Sequence, residues 1–345
     1  MFLKIFNFEF KSWFKVPIFY VYSVILFLLS LFMMASAAGL FDSVTVTTVS
    51  ATYVNSALNI AGLISGISIF IYFMLPSIIG ASINKDFKYN VHHILYAYPI
   101  KKSSYLWAKF LSSFLVVIII LCFVILGIML GAILPFTNPD LLGEFDLMNY
   151  LQPFLYLVIP NFLFFGAIVY AVVTFSRNIF AGFMVVLILL VLQNFTGLLV
   201  SYEEYKTLGA LIDPLGFAAI QVDTEYWTVF EQNNNYLPTD GYLLKNRLIW
   251  LGVSLLIFAA VFFKFNFQQQ AISINLFKKR GQKLVKSNFD FFLNIKIPAL
   301  TKNYSFKTNL NFALKQSYFD FKYIVNNKIF IGFTLLVVLI ALSVL

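Results

Sequence analysis

The chain has 345 residues, of which 61% are hydrophobic, 19% aromatic and only 11% charged. A water-facing surface needs roughly a quarter to a third of its positions charged, so this composition points to lipid and away from a soluble enzyme. The net charge of +9 does not point to nucleic acid either, because it is sorted by membrane side instead of being gathered on one basic face.

A bilayer core requires about 20 apolar residues in helical form, since no water there can satisfy backbone groups. In chain order, an amphipathic leader (1–16) precedes apolar runs at Pro17 to Ala38, Ala57 to Ala81, Ala108 to Leu134, Pro153 to Phe175, Ile179 to Val200 and Leu248 to Phe263. A last run extends from Ile329 to Leu345. The expected fold class is therefore all-α: a polytopic helical membrane protein with a six-span half plus the first span of a second half. The first run ends in Ala35-Ser36-Ala37, like a signal-peptide cleavage site, but it is longer than a signal core of about 7 to 15 residues and reads as an uncleaved span.

In the leader, at 100° per residue, Lys4, Asn7, Lys11 and Lys15 share one face while Phe2, Phe6, Phe10 and Trp13 occupy much of the rest. This is the pattern of an interfacial helix, its lysines turned to anionic lipid or the cytoplasm. Glu9 projects among the aromatics, where an unpaired carboxylate would be costly, so a basic partner is expected. With the amino terminus cytoplasmic, the inner segments hold 21 basic and 4 acidic residues, the outer ones 3 basic and 11 acidic, leaving no formal charge in the membrane interior. The positive-inside bias predicts this asymmetry. Ion-coupled carriers keep ionisable groups at mid-membrane depth, so energy is expected to enter from a soluble partner.

Between the second and third spans lies a cytoplasmic loop (82–107) too aromatic for a passive linker. Val91, Ile94, Leu95 and Tyr98 recur at helical spacing, Pro99 should end that helix, and Ser103 or Ser104 can cap the next. Outside, the loop 201–246 carries seven acids and Trp227 and could cap an exit. Within the spans, Asn161, Gln193 and Asn194 are the weak candidates for a substrate path. Small residues Gly62, Ser65 and Gly66, with Gly127 and Gly131, suit close helix packing. His92 and His93 are adjacent and do not converge on one ion, so no metal site is expected. The single cysteine, Cys122, excludes intrachain disulfides.

A shift of 311 residues pairs Leu3, Lys4, Phe8, Phe10, Lys11, Ile18 and Phe19 with the identical Leu314, Lys315, Phe319, Phe321, Lys322, Ile329 and Phe330, and Glu9 with Asp320. The leader and first span thus begin again after a basic linker (266–310), and the segment 311–345 reads as the opening of a second, parallel half.

Asp86-Phe87 after the second span, a short helix, then Pro99-Ile100-Lys101-Lys102 and Tyr105-Leu106-Trp107-Ala108-Lys109-Phe110 entering the third resemble the type 2 ABC permease family. The resemblance implies a coupling helix seated on an ATPase through Asp86, Phe87, Tyr98, Pro99, Lys101 and Lys102, and a connecting helix bearing Lys4, Glu9 and Lys11. Trp107-Ala108 stands where that pattern has a glycine. Asp213-Pro214-Leu215-Gly216-Phe217-Ala218-Ala219, Tyr226-Trp227-Thr228 and Asn246-Arg247-Leu248-Ile249-Trp250 are similar to a subgroup, frequent in Bacteroidetes, whose two halves are joined to a gluzincin-type aminopeptidase.

No phosphate-binding Gly-x-x-x-x-Gly-Lys-Ser/Thr loop and no His-Glu-x-x-His helix occurs, so the chain is expected to be no enzyme itself. ATP and magnesium would belong to a separate ABC ATPase subunit. The expected function is the permease of an ATP-driven exporter in a bacterial inner membrane, paired with a second half in cis or as a homodimer. The alternative is a non-transporting anchor or assembly subunit for a peptidase domain.

Overall fold

The computed structural model describes residues 1–40, 52–135, 137–200, 202–267 and 305–325. It divides into two units, Met1–Ile274 and Asn275–Leu345. Among the described residues every regular element is helical, and the protein is an all-α, multi-pass membrane protein.

The leader is α1 (Phe2–Trp13), followed by α2 (Pro17–Ala37), where Pro17 opens the helix because its missing N–H has no partner to lose there. Next, α3 (Ala57–Leu75) starts at Ser56, whose hydroxyl accepts from the Asn59 N–H, and runs through a π turn at Pro76–Gly80 into α4 (Ala81–Lys88). A proline in a helix removes one hydrogen bond and clashes with the carbonyl four residues back, and the wider turn relieves both. A short helix α5 (His92–Ala97) leads to α6 (Lys102–Ala132). On the opposite side, α7 (Met148–Pro153), a second π turn at Phe154–Val158 and α8 (Ile159–Ser176) form one continuous helix, again with a proline at the turn. After α9 (Ile179–Val200) come the short helices α10 (Lys206–Ile212), α11 (Phe217–Thr224) and α12 (Val229–Asn234), then α13 (Gly241–Lys264).

Five of these segments are long and apolar enough to cross a membrane, and α9 supplies an apolar sixth. Alternating crossings leave α1, α4, α5 and the start of α6 at one end of the bundle, here called the leader end, and α10 to α12 at the other. The second unit contributes α14 (Phe306–Val325); the expected span from Ile329 to Leu345 and most of the linker 266–310 lie outside the described residues.

Three boundaries differ from expectation. Helix α4 continues to Lys88 before Asn90, in the left-handed region at φ 56°, turns the chain into α5, so the loop proper is shorter than 82–107. Tyr98 is extended, as the residue before a proline must be, but the extended backbone persists to Lys101. Helix α6 therefore starts at Lys102 without a side-chain cap, and Ser103 and Ser104 fall inside its first turn. Helix α13 begins at Gly241, seven residues before the expected Leu248.

Of the four span glycines expected to suit close helix packing, Gly127 and Gly131 do so. A Cβ on Gly127 would collide with Ser30 Oγ and lie 2.6 Å from the Phe27 carbonyl, and one on Gly131 would lie 2.6 Å from the Leu31 carbonyl, so α2 and α6 approach backbone to backbone. A Cβ on Gly62 would meet nothing within 4 Å. Gly127→Ala is expected to lower stability by about 1–3 kcal/mol through overpacking, read as a drop in thermal unfolding midpoint, whereas Gly62→Ala leaves the midpoint nearly unchanged.

Candidate functional site

Three elements meet at the leader end because each brings a charge that cannot be left alone. Glu9 points from α1 into the bundle and is 4% exposed; Asp86 on α4 is 6% exposed; Lys109, in the second turn of α6, is 1% exposed. The Lys109 ammonium has three protons and finds three acceptors: Glu9 Oε1 at 2.9 Å, Asp86 Oδ2 at 2.8 Å and the Ser82 carbonyl at 2.7 Å. Lys85 pairs with the other Glu9 oxygen, and the Tyr105 hydroxyl donates to Asp86 Oδ2 at 2.8 Å. Ser82 in turn donates to the Lys109 carbonyl at 3.0 Å. Two carboxylates and two ammonium groups balance, and a single side chain joins the leader, the end of the second span and the start of the third.

This cluster floors a groove of about 520 Å³. One wall is α1, with Lys4, Ile5 and Phe8, and the other is the α4–α5 loop, with Tyr89, Val91 and Leu95. The basic partner expected for Glu9 is thus Lys109 together with Lys85. The aromatic face of the leader is used differently from expectation: Phe2, Phe6 and Phe10 stack in series at 5.9 Å and are half buried, while Phe14 meets Phe10 edge-on at 5.1 Å and is exposed. Leu3, Lys4, Phe8 and Lys11 remain exposed.

Of the residues expected to form a docking surface, Tyr98, Pro99 and Lys101 are exposed. Lys102 lies 5.0 Å over the Phe262 ring and 3.4 Å from the Phe263 carbonyl. Asp86 and Phe87 are instead turned inward, because α4 keeps its helical register through them and carries Asp86 to Lys109. The Phe87 ring sits 4.1 Å beneath the Arg177 guanidinium. Trp107 stacks on Phe258 at 5.2 Å, so the position where the resembled pattern has a glycine is filled by an aromatic contact to α13, and Ala108 is fully buried.

A second polar centre lies within the bundle. The α10–α11 hairpin dips between α9 and α13, and Asp213 at its tip is fully buried. Its carboxylate accepts from Gln193 Nε2 at 2.5 Å and from the backbone N–H groups of Leu215 and Ala218, both at 2.8 Å. Arg247, 2% exposed, donates to Asn161 Oδ1 and Asn246 Oδ1, each at 2.5 Å, and to the Pro214 carbonyl at 3.4 Å. Asn161 also donates to the Leu215 carbonyl at 2.9 Å. Asn161 stands midway along the 29-residue helix Met148–Ser176, and the hairpin tip and Arg247 meet it there inside the bundle. Both charges, which the sequence alone puts in the outer loop, are buried inside the bundle: α13 starts early enough to carry Arg247 inward, and the hairpin carries Asp213. Asn161 and Gln193, candidates for a substrate path, are here occupied in holding the hairpin; the Asn194 side chain lies outside the described residues.

Lys85, Lys109, Asp213 and Arg247 were the residues that sequence reasoning did not single out for a site. Lys109 had a visible mark, a lone charge eight residues into a helix that is otherwise apolar to its end, and Arg247 is one of only three arginines in the chain.

At the end of the bundle opposite the leader, hydrogen bonds from the Tyr236 hydroxyl and the Met148 N–H hold the Asp146 carboxyl below the usual carboxylate range. No family model matches the chain, and no curated protein or solved structure matches it.

Proposed function

We propose that the chain is the permease subunit of an ATP-driven exporter of the ABC type, with its leader end in the cytoplasm of a bacterium and a separate ATPase docked there. The observation that carries this reading is the Lys109 junction. It fastens the leader, α4 and the start of α6 into one body, and the segment between α4 and α6 carries the exposed Tyr98, Pro99 and Lys101. A push on that surface is passed directly to the second and third spans. Flexible attachment would dissipate it, and a buried, fully satisfied polar network resists such yielding. The positive charge gathered at the same end agrees with a cytoplasmic placement.

The buried charges Asp213 and Arg247 do not favour an ion-coupled carrier, since Asp213 is held by two backbone N–H groups and Gln193, and Arg247 by three oxygen acceptors. ATP and magnesium would be bound by the partner, and this chain supplies the moved element.

The test is reconstitution with the copurifying ATPase. Lys101→Glu combined with Lys102→Glu is expected to lower transport-coupled ATP turnover about tenfold, the change that ~1.4 kcal/mol at an interface produces, with membrane insertion intact. Unchanged turnover rejects the docking assignment. Failure to recover any nucleotide-binding subunit in mild detergent supports the anchor alternative.

A further inference from the structure

A second cavity, of about 450 Å³, opens far from the leader, where the residues just before α3, the connection from α6 to α7 and the end of α12 come together. Side chains of one segment bond to the backbone of another to build it. Asn55, 5% exposed, exchanges two hydrogen bonds with Gly143, donating to its carbonyl and accepting from its N–H, both at 2.8 Å. Asn149 donates to the Asn55 carbonyl at 3.2 Å, and the Tyr53 N–H donates to Asn233 Oδ1 at 2.7 Å, which ties α12 to the same place. The Tyr53 ring lies against Gly143, where a Cβ would come within 2.7 Å of it. Three stretches distant in the chain are thus pinned in advance, and such preorganisation lowers the entropy lost when a ligand binds.

The lining is polar and its charge has one sign. Glu144 and Asp146 both line the cavity, and among the described lining residues there is no lysine, arginine or histidine. Asp146 accepts from the Tyr236 hydroxyl at 2.6 Å and from the Met148 N–H at 2.9 Å, so uncharged donors fix its carboxylate in place. Glu144 makes no ion pair among the described residues. Two carboxylates with no base beside them repel an anion, which sets phosphate and phospholipid headgroups aside. A bare metal ion fits poorly as well: a calcium cage closes on its ion with oxygens at about 2.3–2.6 Å, whereas this space has the size of pockets that hold small organic molecules. The complement of such a lining is a positive charge on a body rich in hydrogen-bond donors, with a face that can rest on tyrosine.

We propose that this cavity binds a primary ammonium compound on a polar scaffold, an amino sugar or a polyamine, with Glu144 and Asp146 receiving the charge and Tyr53 serving as the platform. The site is independent of the exporter reading and holds equally for a permease or an anchor.

The experiment is isothermal titration calorimetry on the full chain in detergent, with glucosamine, spermidine, glucose and calcium as probes. At least one of the two amines is expected to bind about tenfold more tightly than glucose, and which of them binds better tells an amino sugar from a polyamine. Asp146→Asn should weaken that binding about tenfold and Glu144→Gln, at an exposed position, about threefold. Gly143→Ala leaves both carboxylates but displaces the Tyr53 ring, so binding should fall with the charge intact. Circular dichroism checks that each variant keeps the helicity of the parent. Glucose binding as tightly as the amines, calcium displacing them, or amine binding unchanged in both carboxylate variants overturns the proposal. So does the absence of heat from either amine at about 1 mM. Each of these results leaves the exporter reading standing.

Discussion

Lys109→Met is expected to lower unfolding stability by about 3–5 kcal/mol, the cost of stripping a buried ion cluster of one partner. The methionine fills the volume, so the loss is electrostatic: Glu9 and Asp86 stay buried, and the Ser82 carbonyl loses its donor. Lys85 compensates little, because it reaches only Glu9 and its side chain is 31% exposed, where solvent already screens it. The control that makes the prediction specific is the triple variant Glu9→Gln, Asp86→Asn, Lys109→Met. Neutralising all three members removes the unpaired charges along with the pair, so it should recover at least half of the lost stability. Thermal unfolding in detergent reads both values. A single variant as stable as the parent would mean that the three acceptors do not depend on Lys109. If the triple variant folds well yet fails to pass ATP turnover to transport, stability and force transmission are separated within one site.

Arg247→Met is expected to cost about 2–4 kcal/mol, because Asn161, Asn246 and the Pro214 carbonyl lose their donor at a buried site. The hairpin tip should loosen first. Limited proteolysis from the hairpin side should then cut within 206–224 in the variant and spare it in the parent. Gly216→Ala offers an independent route to the same state. Gly216 has φ +81°, and a Cβ there would run into the Arg247 guanidinium, so the substitution pushes the tip off its seat without removing the charge. Matching cleavage in both variants identifies the Arg247 contact as the latch. Protection in both, with folding intact, shows that the hairpin is held by its apolar packing on α9 and α13.

The membrane class and five helices long and apolar enough to cross were legible because length and apolarity decide them locally, residue by residue along Pro17–Ala37 or Lys102–Ala132. Glu9 could be flagged as needing a basic partner, since a carboxylate among phenylalanines has few alternatives. Which lysine answers it could not be read, because Lys85 and Lys109 lie 76 and 100 positions away and only helix packing brings them together. The burial of Asp86 was hidden by one boundary: ending the second span at Ala81 leaves Asp86 on a surface loop, while a helix running on to Lys88 turns it inward. The Asp213 and Arg247 centre was missed for a related reason. A polar stretch between two spans reads as an outer loop, and nothing local says that α10 and α11 fold back into the bundle.

The two helices that hold the ion cluster are longer than the hydrocarbon they cross. At 1.5 Å per residue the 32 residues of Ala57–Lys88 extend about 48 Å and the 31 of Lys102–Ala132 about 46 Å, against a bilayer core of about 30 Å. Lys109 stands in the second turn of α6, at the end of that helix where the surplus length can lie. The surplus of about 16 Å is room for the junction beyond a hydrocarbon core of ordinary thickness, so the charges that rivet the helices together need not be carried into lipid.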